Sequence, residues 1–88
     1  MNNNIYFTKG IQSECEKDPS FFIRILKFID KFSNNDWGDT CKEDCELNKE
    51  ALKTNERIVA LYKIEKEKIF IIKERNNGIT TVLFGNEY

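Results

Sequence analysis

Histidine is absent from the 88 residues. With it goes the commonest general base near neutral pH, so Ser-His-Asp and Cys-His nucleophile pairs are excluded. One proline and four glycines are too few for a collagen-like or Pro/Gly-rich chain. No apolar run approaches the roughly 20 residues that a membrane-spanning helix needs. Met1-Asn2-Asn3-Asn4 places no basic region ahead of an apolar stretch, so the sequence predicts no export signal and a cytoplasmic location. Cysteine is scarce and odd in number, at three, which favours free thiols or metal ligands over a disulfide framework. Neither sign of charge dominates: 14 basic and 15 acidic residues leave a net charge of −1, without the basic excess that nucleic-acid binding asks for.

What is present is an ordinary globular balance of 40% hydrophobic and 33% charged residues, enough for a single domain over 1–88 with one core. Ile5-Tyr6-Phe7-Thr8 is a short β-prone run, broken by Lys9-Gly10 before a helical segment near Ile11. Asp18-Pro19 marks a helix start, because Asp accepts hydrogen bonds from free amides and Pro at the first helical position has no amide to leave unpaired. In the helix that follows, Phe22, Ile25, Leu26, Ile29 and Phe32 recur at helical spacing, with Phe21 and Phe28 widening the apolar face.

Asp39 or Thr40 is placed to cap a further helix running to about Lys53. From Arg57 the pattern turns β-branched and aromatic, in the runs 58–64, 68–73 and 80–84. Glu65-Lys66-Glu67 suits a hairpin, and Asn76-Asn77-Gly78 suits a turn with positive backbone dihedrals. Ile69 to Ile72 is apolar at both parities, which implies cover on more than one side or a bulge. The expected fold class is α+β: a short N-terminal strand and two to three helices packed on an antiparallel sheet of three to four strands.

The chemistry-bearing residues concentrate between the helices. From Asp36 to Glu50 six acids (Asp36, Asp39, Glu43, Asp44, Glu46, Glu50) face two bases (Lys42, Lys49), and the chain's one tryptophan, Trp37, stands among them. An acidic patch suits a basic protein surface. Tryptophan is enriched at binding hot spots, although a lone one more commonly anchors a core. Cys41 and Cys45 lie four apart, which on a helix brings both sulfurs to one side. Zinc would need two more ligands, from Cys15, from Asp36, Asp39 or Asp44, or from a second chain. The bland reading makes both cysteines small, partly buried apolar residues.

Paired carboxylates, Asp36 with Asp39 or Glu43 with Asp44, are also the raw material of a cation-dependent hydrolase. Lys63 to Lys68 alternates charge around the hairpin and reads as a solubilising turn. Arg57, Lys63, Lys73 and Arg75 form a basic strip only if they share a face, and interleaved acids argue against nucleic acid as its target.

Taken in order, Thr8-Lys9-Gly10-Ile11, Asp36-Trp37-Gly38-Asp39, the blocks 48–52, 57–62 and 69–74, Thr80-Thr81-Val82-Leu83-Phe84 and the terminal Glu87-Tyr88 resemble the small "plasmid-related" proteins of Gram-positive plasmids, phages and integrated elements. The resemblance covers nearly the whole chain, and Phe70 and Lys73 depart from the acidic, tryptophan-containing segment that such proteins carry there. It implies a setting rather than a mechanism: small, catalytically bare proteins of mobile elements often block a host defence protein, anti-CRISPR proteins above all.

The expectation is therefore a non-enzymatic inhibitor that binds a basic host protein, most concretely a Cas effector nuclease with its positively charged nucleic-acid channels. Asp36, Trp37, Asp39, Glu43, Asp44 and Glu46 form its expected contact surface, without direct contact to nucleic acid or membrane. The alternative expectation is a zinc-stabilised regulatory or structural domain that uses Cys41 and Cys45.

Overall fold

Backbone chemistry sets the boundaries of the first two helices. In the computed structural model, which describes residues 4–76 and 78–88, Thr8 caps helix α1 (Lys9–Lys17) by accepting from the Ile11 amide. The helix thus begins two residues earlier than Ile11. Asp18 closes α1 and opens α2 (Pro19–Ser33), its carboxylate accepting from both the amide and the hydroxyl of Ser20. Those hydrogen bonds hold the Asp18 carboxyl below its ordinary value, that from the Ser20 hydroxyl contributing most.

The expected apolar face of α2 is rotated. Phe21 and Ile25 are buried, and Phe28, Ile29 and Phe32 pack against the core, whereas Phe22 and Leu26 are exposed. Two aromatic contacts fix this rotation: Phe21 stacks on Phe84 with ring centroids 5.8 Å apart, and Phe28 on Tyr62 at 4.9 Å.

The sheet has the order β1-β4-β3-β2, from strands β1 (Ile5–Phe7), β2 (Ile58–Ile64), β3 (Glu67–Lys73) and β4 (Thr80–Phe84). β2, β3 and β4 form the expected antiparallel meander, while β1 joins the β4 edge in parallel, making the sheet mixed. The hairpin turn is Glu65-Lys66, with Glu65 at φ 52°. Of the expected turn at Asn76-Asn77-Gly78, Asn76 has φ 57° and its amide donates to the Asn55 carbonyl at 2.8 Å, while Asn77 lies outside the described residues.

Alternation divides the sheet into two faces. Ile58, Ala60, Tyr62, Ile64, Ile69, Ile71 and Val82 form one core with Ile11, Phe21, Ile25, Trp37 and Ala51. All helices contributing to that core therefore lie on one face. Ile72 and Leu83, of opposite parity, are also buried, and beside them Phe70 meets Tyr88 with centroids 4.8 Å apart. The double apolar run of β3 thus reflects cover on both sides, and its pairing with β2 is continuous, without a bulge.

The last turn returns to the start. The Glu87 carboxylate accepts from the Thr8 hydroxyl at 2.7 Å, the Gly10 amide at 3.1 Å and the Phe84 amide at 2.9 Å. Desolvation raises this carboxyl, but the three hydrogen bonds outweigh it and hold the group below the ordinary glutamate value. A Cβ on Gly10 would lie 2.7 Å from Glu87 Oε2, so glycine is what allows this clasp.

Candidate functional site

The segment between α2 and helix α3 (Lys42–Thr54) docks along the outer edge of β2. Alternate residues of that edge strand, Val59, Leu61 and Lys63, turn backbone groups away from β3, and such groups would template aggregation if left bare. The Leu61 carbonyl accepts from the Asp39 amide at 2.8 Å, and the Leu61 amide donates to the Thr40 hydroxyl at 2.8 Å. The Lys63 amide donates to Asp39 Oδ2 at 2.9 Å. Asn48 supplies the rest from α3: its side chain donates to the Val59 carbonyl at 2.9 Å and accepts from the Val59 amide at 3.3 Å. Three side chains and one amide thus act in place of a fifth strand.

This explains why neither Asp39 nor Thr40 caps α3 as the sequence suggested. Their oxygens serve β2, and the N-cap position falls to Cys41, which makes no side-chain capping bond. The sequence signal for a cap and for an edge mimic is the same short polar side chain, and only the register of β2 separates them. Asn48 carried no signal at all, since a mid-helix Asn reads as a solvated position.

Trp37 corrects the expected contact surface. Its ring is only 6% exposed and belongs to the core, so it is not available at the centre of an interface. The turn that buries it is held by Gly38 at φ 59°, whose amide donates to the Asp36 carboxylate at 3.1 Å, and by the Tyr62 hydroxyl, which donates to the Asp36 carbonyl at 2.7 Å. Burial pushes the Tyr62 hydroxyl far above its ordinary value, and the charge of Asp36 adds to the effect. Tyr62 is therefore a structural donor at any physiological pH.

The remaining expected contact residues divide by role. Asp36 and Asp39 are exposed but hydrogen-bonded to backbone, as above. Glu43 and Asp44 occupy the first turn of α3, where negative charge offsets the helix dipole. Glu46 pairs with Lys49 at 3.2 Å and Glu50 with Lys53 at 3.9 Å, both well exposed and therefore weak. Sequence reasoning overlooked Leu47, which is 65% exposed on the outer side of α3. Glu43, Asp44 and Glu50 lie four before, three before and three after it and are its immediate helical neighbours, while Glu46, one before it, faces another side. An apolar knob with an acidic rim is thus built on α3, ten residues beyond Trp37.

The cysteines do not gather ligands. Cys41 is exposed; Cys45 is half-buried, and its thiol donates to the Thr40 carbonyl at 3.6 Å. Desolvation, with the neighbouring Cys41 next, raises the Cys45 thiol, and desolvation with Glu14 raises Cys15, so both stay protonated at neutral pH. Among the described residues no group of three or more Cys, Asp or Glu side chains is placed to hold a metal. Cys41 and Cys45 do not share a helix face as expected, because Cys41 is the N-cap of α3 with extended backbone, and Asp36 and Asp39 are directed to Gly38 and Lys63 instead.

In comparisons with known proteins, the chain matches no family model, no curated protein and no solved structure. Among the described residues, no helix is long and apolar enough to cross a membrane.

Proposed function

We propose that this chain is a non-enzymatic accessory protein of a mobile element. It acts in the cytoplasm of a bacterial host by binding and inhibiting a basic defence protein, with a Cas effector nuclease as the leading target. The observation that carries the reading is the outer face of α3, where Leu47 stands exposed within the rim of Glu43, Asp44 and Glu50. Such a face offers an apolar contact that loses water on docking, surrounded by charges that steer a positive partner towards it. The absence of histidine and the protonated state of Cys15 and Cys45 support an activity exerted by binding rather than by covalent chemistry. A positively charged channel is the complementary feature that effector nucleases present.

The test is a DNA-cleavage assay with a Cas effector, run with the wild-type chain and with a Glu43→Lys/Glu50→Lys double variant. Inhibition by the wild type is expected, weakening as salt rises from 50 to 300 mM, and at least about tenfold weaker in the double variant. Leu47→Ala is expected to weaken it comparably, and Asp36→Asn to leave it nearly unchanged. Inhibition untouched by the double variant and by Leu47→Ala would remove α3 from the contact surface. Absence of binding to any effector tried would end the CRISPR reading.

A further inference from the structure

Between the C-terminal half of α2 and the C-terminal half of α3 lies an open cavity of about 470 Å³, within the usual range for small-molecule sites. Its walls combine apolar residues, Ile5, Ile29, Phe32 and Leu52, with Asn4, Ser33, Asn35 and Thr80, and the buried Ile71 and Trp37 lie at its base. Among the described residues, Lys73 is the one charged residue lining it. Register explains how a lysine comes to face this way: it follows Ile71 by two on β3, pairs with Ile58 and Thr80, and so shares the helix-covered side of the sheet. Its ammonium has no carboxylate within 4.0 Å among the described residues, and none of the residues outside that set is acidic.

We propose that this cavity binds a small amphipathic carboxylate, with an alkyl body against Ile29, Phe32 and Leu52 and the carboxylate on the Lys73 ammonium, beside Thr80. A half-buried lysine that has no carboxylate partner among the described residues is open to the charge-assisted hydrogen bond that a ligand carboxylate supplies. One ammonium suits a singly charged head; a phosphate would call for an arginine fork or a cluster of backbone amides, neither of which lines the cavity. Uptake at this site is independent of the α3 face and of the target it serves.

Trp37 makes the proposal directly measurable, since it is the only tryptophan in the chain and its ring lines the cavity. Sodium decanoate, titrated below its micellar range, is expected to shift Trp37 emission saturably. Decyltrimethylammonium, with the same tail and the opposite charge, is expected to bind at least about tenfold more weakly. Lys73→Met should weaken decanoate by a similar factor while Lys73→Arg retains it. Leu52→Glu, at an exposed position of α3, should weaken it by repulsion. No saturable change, equal response to both head groups, or wild-type affinity in a folded Lys73→Met variant would each overturn the proposal. The head-group comparison uses the unaltered protein, so the test stands even if a variant fails to fold.

Discussion

Gly38→Ala is expected to be among the most damaging single changes in this protein, lowering stability by about 2 to 5 kcal/mol. Two independent costs add. The position has φ 59°, a conformation that an L side chain adopts only with strain, and the new methyl group would collide with the ring of Tyr62. Tyr62 cannot step aside at little cost, since it is almost wholly buried, stacked on Phe28 and tied by its hydroxyl to the Asp36 carbonyl. The collision therefore spreads to the burial of Trp37. Urea denaturation followed by Trp37 fluorescence is the appropriate measurement: a lower midpoint and a red-shifted native emission are expected, and an unfolding free energy within about 0.5 kcal/mol of wild type would show that the turn does not hold the ring as described.

Asn48→Ala is the second large effect, expected at about 2 to 4 kcal/mol. The amide side chain is 5% exposed and serves both backbone groups of Val59, donating to one and accepting from the other. Alanine removes the partners and leaves a nearly buried N–H and C=O unpaired, each of which costs more than the net value of the bond it lost. The better helix propensity of alanine returns only a few tenths of a kcal/mol. Asn48→Asp makes the distinction sharper, because it keeps the acceptor for the Val59 amide but places a carboxylate against the Val59 carbonyl. Equilibrium unfolding should rank the wild type above both variants, and an unchanged midpoint in Asn48→Ala would mean that α3 does not seal the strand.

Much of the fold was legible because local chemistry and the global arrangement agree. Asp18-Pro19 starts a helix whether or not a sheet lies beneath it, and the three β-branched runs could form nothing but neighbouring strands joined by short turns. What was illegible depends on contacts distant in sequence. The rotation of α2 is fixed by Phe84 and Tyr62, neither of which is local, so the spacing alone could not tell whether Phe21 or Phe22 turns inward. The parallel pairing of β1 with β4 joins residues some 75 apart, and no periodicity encodes it.

The acidic segment shows the same limit at the site. Asp39, Thr40 and Trp37 carry the composition of a binding loop, yet the open edge of β2 claims the first two and the core claims the third. Glu43 and Asp44 remain on the outer face, and Leu47 was passed over because an apolar residue among helical charges reads as one that packs inward.

Native-state hydrogen exchange of the Leu61 and Lys63 amides tests most directly the claim from which the rest descends, that the segment 36–40 is part of the folded body and not a free contact loop. Both amides sit on an edge strand yet donate to Thr40 and Asp39 side chains, and are expected to exchange with protection close to that of the Ile71 amide at the centre of the sheet. Exchange of either at the rate of a bare edge would mean that the segment stands away from β2, freeing the Asp39 carboxylate from Lys63, and would contradict the account.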